Sequence, residues 1–154
     1  MPHQDARAVA NEFIQLNSNQ TFSQMWLQKL VYIADGWNLA INSEPLTDAR
    51  IEAWDGGPVF RVIWNHIRDF GVDAKTRLLC LDGRPLKAQL SRSENDVIQH
   101  VWRRYGGYTG LELSKMTHQE GTPWSNAYYG RGQNAALNET EIRNHFVGIA
   151  LAGR

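Results

Sequence analysis

A chain of 154 residues makes one domain and leaves little room for two. At about 150 residues roughly 70% of the unfolded surface becomes buried, enough for a core without staples. Lys+Arg and Asp+Glu are equal at 16 each, with Arg the commoner cation. That balance removes the global charge that would draw in nucleic acid or an anionic membrane, while Arg suits pairing and stacking at interfaces. A single cysteine excludes an internal disulfide, and within Leu78-Leu79-Cys80-Leu81 it reads as a buried, inert thiol. The opening Met1-Pro2-His3-Gln4-Asp5 lacks the basic and apolar regions of a secretion signal. No run approaches the roughly 18 apolar residues of a membrane span, so the cytoplasm is the expected compartment.

In chain order, Asp5 caps a first helix whose apolar stripe is Ala6, Val9, Phe13 and Leu16, and Asn17-Ser18-Asn19 stops it. Thr21 or Ser23 caps a long second helix, Ser23 to Ile41. Its inward positions are Trp26, Leu27, Leu30, Val31, Ile33, Ala34, Trp37 and Ile41. A stripe that wide predicts a central helix buried on several sides. Asn42 to Pro45 breaks it. Arg50 to Trp54 reads as a short extended piece and Asp55-Gly56-Gly57 as a turn. Pro58 then suits the first position of a third helix, burying Val59, Ile63, Ile67 and Phe70 and ending at Gly71. Arg77 to Leu81 is a second extended piece, followed by a turn at Asp82-Gly83, and the two pieces can pair as a small antiparallel sheet.

Ser93 to Asp96 opens a fourth helix with apolar face Val97, Ile98, Val101, Trp102 and Tyr105, ended by Gly106-Gly107. Thr109-Gly110-Leu111-Glu112 is a capping box for a short fifth helix. Pro123-Trp124 starts a short helical turn, Gly130 to Ala136 is a polar loop, and Asn138 to Glu141 caps a last helix burying Ile142, Phe146 and Ile149. The predicted fold is α+β and predominantly helical, with about six helices around the long one and a small antiparallel β element. Of the six tryptophans, Trp26, Trp37 and Trp102 belong to apolar helix stripes and are assigned to the core. Trp54 and Trp124 flank turns, where core and contact roles both remain open.

Tests for chemistry return little. His3, His66, His100, His118 and His145 form no zinc-type pair at short spacing, and His118-Gln119-Glu120 has no P-C-x-x-C to complete a deaminase signature. Gly130 to Ala135 imitates a dinucleotide fingerprint but has no strand before it and no long helix after it. There is no nucleophile elbow and no phosphate loop. Asp48 with Asp55, or Glu112 with Glu120, read as solvated acids rather than catalytic pairs. Arg61 and Arg68 share a face of the third helix, and Arg103-Arg104 is the one adjacent basic pair. Neither makes a basic stripe, and a domain of neutral charge argues against nucleic acid.

One set of motifs remains: Lys29-Leu30-Val31-Tyr32-Ile33-Ala34, Ala53-Trp54-Asp55-Gly56-Gly57-Pro58-Val59, and Thr117-His118 followed by Pro123-Trp124. In this order and spacing, over roughly residues 22 to 147 of a single domain, the chain resembles the Panacea or SocA-like antitoxin domain, whose family includes the phage-associated GepA-type proteins. The resemblance implies an antitoxin that neutralises a cognate protein toxin by direct binding. It also implies an adaptor role toward a ClpXP-type protease, no enzymatic activity and no cofactor. Tyr32, Trp54, Gly57, Pro58, His118, Pro123 and Trp124 are the motif residues with candidate partner-binding roles. Among them, Tyr32, Trp54, His118 and Trp124 are expected to share a pocket or contact surface. The rival readings are a small enzyme built on Thr117-His118 to Trp124 and a DNA-binding regulatory module of a prophage or mobile element.

Overall fold

A computed structural model describes residues 3–18 and 20–153; Met1 and Pro2 of the opening stretch and Asn19 of the first helix stop lie outside it. Among the described residues the order is α1 (Ala6–Leu16), α2 (Gln24–Asn42), β1 (Ile51–Trp54), β2 (Gly57–Phe60), α3 (Arg61–Phe70), β3 (Cys80–Leu81), β4 (Arg84–Pro85), α4 (Arg92–Tyr105), α5 (Gly110–Thr117), α6 (Pro123–Arg131) and α7 (Glu139–Leu151). The fold is α+β and mostly helical, with two small antiparallel hairpins.

α2 is the axis. Ser23 caps it through a hydrogen bond from Trp26 N to Ser23 Oγ of 3.0 Å. Every residue from Trp26 to Leu39 is buried, and α1, α4, α5, α7 and β2 all pack against it. A helix buried all round must satisfy its own polar side chains, and it does so on the backbone of its neighbours. The Gln28 amide accepts from Phe60 N at 2.9 Å and donates to Phe60 O at 3.2 Å. Asp35 Oδ1 accepts from Leu46 N and Thr47 N at 2.7 and 3.0 Å, and Asn38 donates to Glu44 O at 2.8 Å. These side chains fix β2 and the descent from α2. Asn11 on α1 does the same for the second hairpin, bonding both Leu79 N and Leu79 O.

The structure corrects five expectations about the fold. Pro58 does not open a helix; it lies in β2, and α3 begins at Arg61. Gly57 turns the chain with φ +119°, so β2 folds straight back on β1 with Trp54 opposite Gly57 and Ala53 opposite Pro58. Ala53 points its backbone groups away from β2, to Ala135 O and from Asn134 N, so the missing N–H of Pro58 leaves no gap there. Val59 is therefore a buried strand residue, and Phe70 at the far end of α3 is 68% exposed instead of buried. The two expected extended pieces also do not pair with each other: β1 takes β2 and β3 takes β4, each across its own tight turn. α4 starts one residue earlier, at Arg92 after a Ser91–Glu94 capping box, rather than at Ser93. Cys80 is only half-buried in β3, although Leu78 and Leu79 beside it are in the core.

Candidate functional site

The β1–β2 hairpin is where the motif residues gather. α2 holds it from one side through Gln28 and through Lys29, whose ammonium donates to Pro58 O at 2.9 Å. The segment 134–137 holds its outer edge through Ala53 N, Ala53 O and Ile51 O. α5 holds its turn: Ser114 Oγ donates to Gly56 O. A side chain at Gly57 would come within 2.9 Å of Lys29 Cε and 3.3 Å of Thr117 Oγ1 at a positive φ, so only glycine fits.

Trp54 leaves this hairpin half-buried. Its indole N–H donates to Glu52 Oε1 at 3.0 Å, and the Arg61 guanidinium lies over its ring at 5.1 Å while also pairing with Glu52 at 2.9 Å. The Arg61 guanidinium hydrogen-bonded to it holds the Glu52 carboxyl below the usual range. Trp64 packs on Trp54 edge-on at 5.5 Å, and Arg68 covers Trp64 at 5.1 Å. On the other side the Trp124 indole donates to Trp54 O at 2.6 Å. Trp124 in turn stacks on Tyr128 at 4.7 Å and meets Tyr129 at 5.7 Å. Tyr128 donates to Asp55, and Tyr129 is 77% exposed. Two groups of aromatic rings thus meet at β1: Trp64 and Trp54 under the α3 arginines, and Trp124, Tyr128 and Tyr129 on α6, joined through the Trp54 carbonyl rather than ring to ring. Between α2, the β1–β2 turn and α3 the first group borders an open pocket of about 580 Å³.

Of the seven motif residues, Trp54, Gly57, Pro58, His118, Pro123 and Trp124 meet around this hairpin. Tyr32 does not: it is 1% exposed and packs edge-on against Phe146 of α7 at 5.9 Å. His118 stands 5.2 Å from Trp124, ring to ring, and its Nδ1 lies 3.2 Å from Ser114 Oγ. Because Ser114 gives its only proton to Gly56 O, the imidazole is the donor of that pair. Ser114 is buried, and among the described residues the partner of His118 is this hydroxyl and not a carboxylate. The arrangement braces α5 against the hairpin and lacks the free nucleophile that Ser–His chemistry requires. Arg61 and Arg68, which a nucleic-acid reading would need free, are paired with Glu52 and Asp69.

Lys29, Glu52, Trp64 and Tyr128 carry no site role in the sequence reading, although Lys29 opens the first of the family motifs. Two of them carry a legible signal. Arg61, Trp64 and Arg68 recur at helical spacing on one face, and Lys29 is the one cation inside the wide stripe of α2, three residues after Trp26 and four before Ile33. Among the described residues no helix is long and apolar enough to cross a membrane.

Over residues 27–125 the chain matches the family described as antitoxin SocA-like, Panacea domain. It is similar to antitoxin SocA of Caulobacter vibrioides (strain NA1000 / CB15N), with 29% identity over 141 residues, covering 86% of this chain and 75% of that protein. No solved structure matches. The matched span includes α2 from Leu27 onward, both strands of the first hairpin, α5 and the start of α6.

Proposed function

Because the chain belongs to the SocA-like antitoxin family with the Panacea domain, we propose that it is a non-enzymatic cytoplasmic antitoxin that neutralises a cognate protein toxin by binding it directly. The observation that supports this reading is the pair of aromatic groups around the hairpin, with arginines over Trp54 and Trp64. Trp, Tyr and Arg are the residue types that dominate protein–protein hot spots. Here Trp54 and Arg61 are held by Glu52, Tyr128 by Asp55, and Trp64 by Trp54 and Arg68, before any partner arrives. Preorganised rings lose little conformational entropy on binding.

The test is co-expression with the product of the adjacent gene. That product is expected to arrest growth alone, growth to return with this chain, and the two proteins to co-purify. A neighbouring product that is harmless alone and never co-purifies would refute it. The finer form of the reading is an adaptor that brings the toxin to a ClpXP-type protease. It predicts that the toxin's half-life shortens when the antitoxin is present and recovers when the protease is deleted. A toxin neutralised at unchanged half-life restricts the mechanism to stoichiometric binding.

A further inference from the structure

Lys29 lines the same pocket as Trp54 and Trp64. It is 2% exposed, and its ammonium, with three protons to donate, is given one acceptor, Pro58 O. Among the described residues no carboxylate lies within ion-pair distance of it. The neighbouring cations are already matched: Arg61 and Arg50 share Glu52 at 2.9 and 3.2 Å, and Arg68 takes Asp69 at 2.9 Å. Asp55 on the rim is exposed and turned to the Tyr128 hydroxyl. Burial without a counter-ion pushes Lys29 down to about 8, which leaves it mostly protonated at neutral pH. The pocket thus combines one unmatched positive charge with the apolar side chains of Trp54, Trp64, Val59 and Met25, the rest of its lining being polar, Gln24, Gln133 and Asn134 among it.

We propose that this pocket receives an aspartate or glutamate side chain of the protein partner, its carboxylate meeting Lys29 while an adjacent apolar or aromatic residue of the partner lies between Trp54, Trp64 and Met25. The proposal rests on the toxin-binding reading and names the chemistry the toxin must present. Lys29 has lost its water in the free protein already, so a carboxylate that reaches it meets a donor whose desolvation is not a further cost of association. A single carboxylate fits better than a phosphate. The Arg61 fork that would clamp a phosphate is occupied by Glu52, and Lys29 alone is a point charge.

Indole-3-acetate and indole-3-acetamide, which differ in charge at nearly equal size, probe the pocket on the full chain by the NMR signals of the Trp54 and Trp64 indole N–H groups. The acid is expected to shift both signals with a Kd on the order of 1 mM, typical for a fragment of this size, and the amide to bind at least about tenfold more weakly. Lys29→Met should erase the difference, and Trp64→Ala should weaken both probes. Equal affinity for acid and amide, no binding, or shifts elsewhere on the chain would overturn the proposal. If Lys29→Met does not fold, the acid–amide comparison on the unaltered chain still decides. A second arm measures the purified product of the adjacent gene. If it binds the unaltered chain and Lys29→Met equally, the carboxylate pocket is wrong and toxin binding stands. If it binds neither, the toxin reading fails, and with it the proposed occupant, even where the small acid binds.

Discussion

Asp35 is a carboxylate in the middle of the most buried helix, with two backbone N–H donors and no cation among its hydrogen-bond partners. Burial outweighs those bonds and pushes it up to about 6 from an ordinary 3.8. The folded state therefore holds this proton more tightly than the unfolded one. Its contribution to stability is fully present below 3.8 and is lost as pH rises through about 6. Asp35→Asn keeps an oxygen acceptor for Leu46 N and Thr47 N without the charge. Denaturant titrations at several pH values should show it as stable as the unaltered chain at pH 7, or more so, with the fall between the two pKa values gone. A large loss at neutral pH would mean the charge itself is required. Trp124→Phe keeps an aromatic ring and removes the donor to Trp54 O, and should cost about 1 kcal/mol in the same assay. These inward polar residues were hard to read in the sequence. The stripe of α2 predicts its burial, but Gln28, Lys29, Asp35 and Asn38 find backbone partners that only tertiary folding brings near.

At the scale of elements, the contact between α2 and α7 depends on a glycine. A side chain at Gly36 would enter the ring of Phe146, so Gly36→Ala should force α7 away and cost about 1–3 kcal/mol by overpacking. Gly148, on α7 itself, has open space around its missing side chain; Gly148→Ala should instead stabilise by about 0.5–1 kcal/mol. Thermal melts of the two variants should move in opposite directions, and a common direction would contradict the packing described. The helix starts show where local sequence is a good guide. Asp5, Ser23, Thr109 and Asn138 cap as their side chains suggest, because a cap is a bond within three residues. Pro58 shows where it is not. Proline after a turn suits a helix start and a non-hydrogen-bonded strand position equally well, and the choice was made by Ala53 bonding outward to the 134–137 segment and by Gln28 and Lys29 engaging β2.

Across the whole molecule, six motif residues separated by up to seventy positions converge on one hairpin, while Tyr32 serves the core. Their order in the chain identifies the family, but their grouping follows from α2, which carries Lys29 to one side of the hairpin and packs α5 and α7 around itself. The aromatic groups were only partly legible. Trp54 and Trp124 stand out beside their turns and Trp64 shares a helix face with Arg61 and Arg68, whereas Tyr128 joins them through contacts that no local pattern encodes. Calorimetric titration of the purified chain with the purified product of the adjacent gene tests direct neutralisation most simply. A stoichiometric complex is predicted, with Trp54→Ala and Trp64→Ala each weakening it at least about 30-fold, the scale of a hot spot, while both variants stay folded. Growth rescue without any measurable complex, or a complex indifferent to both tryptophans, would contradict the account.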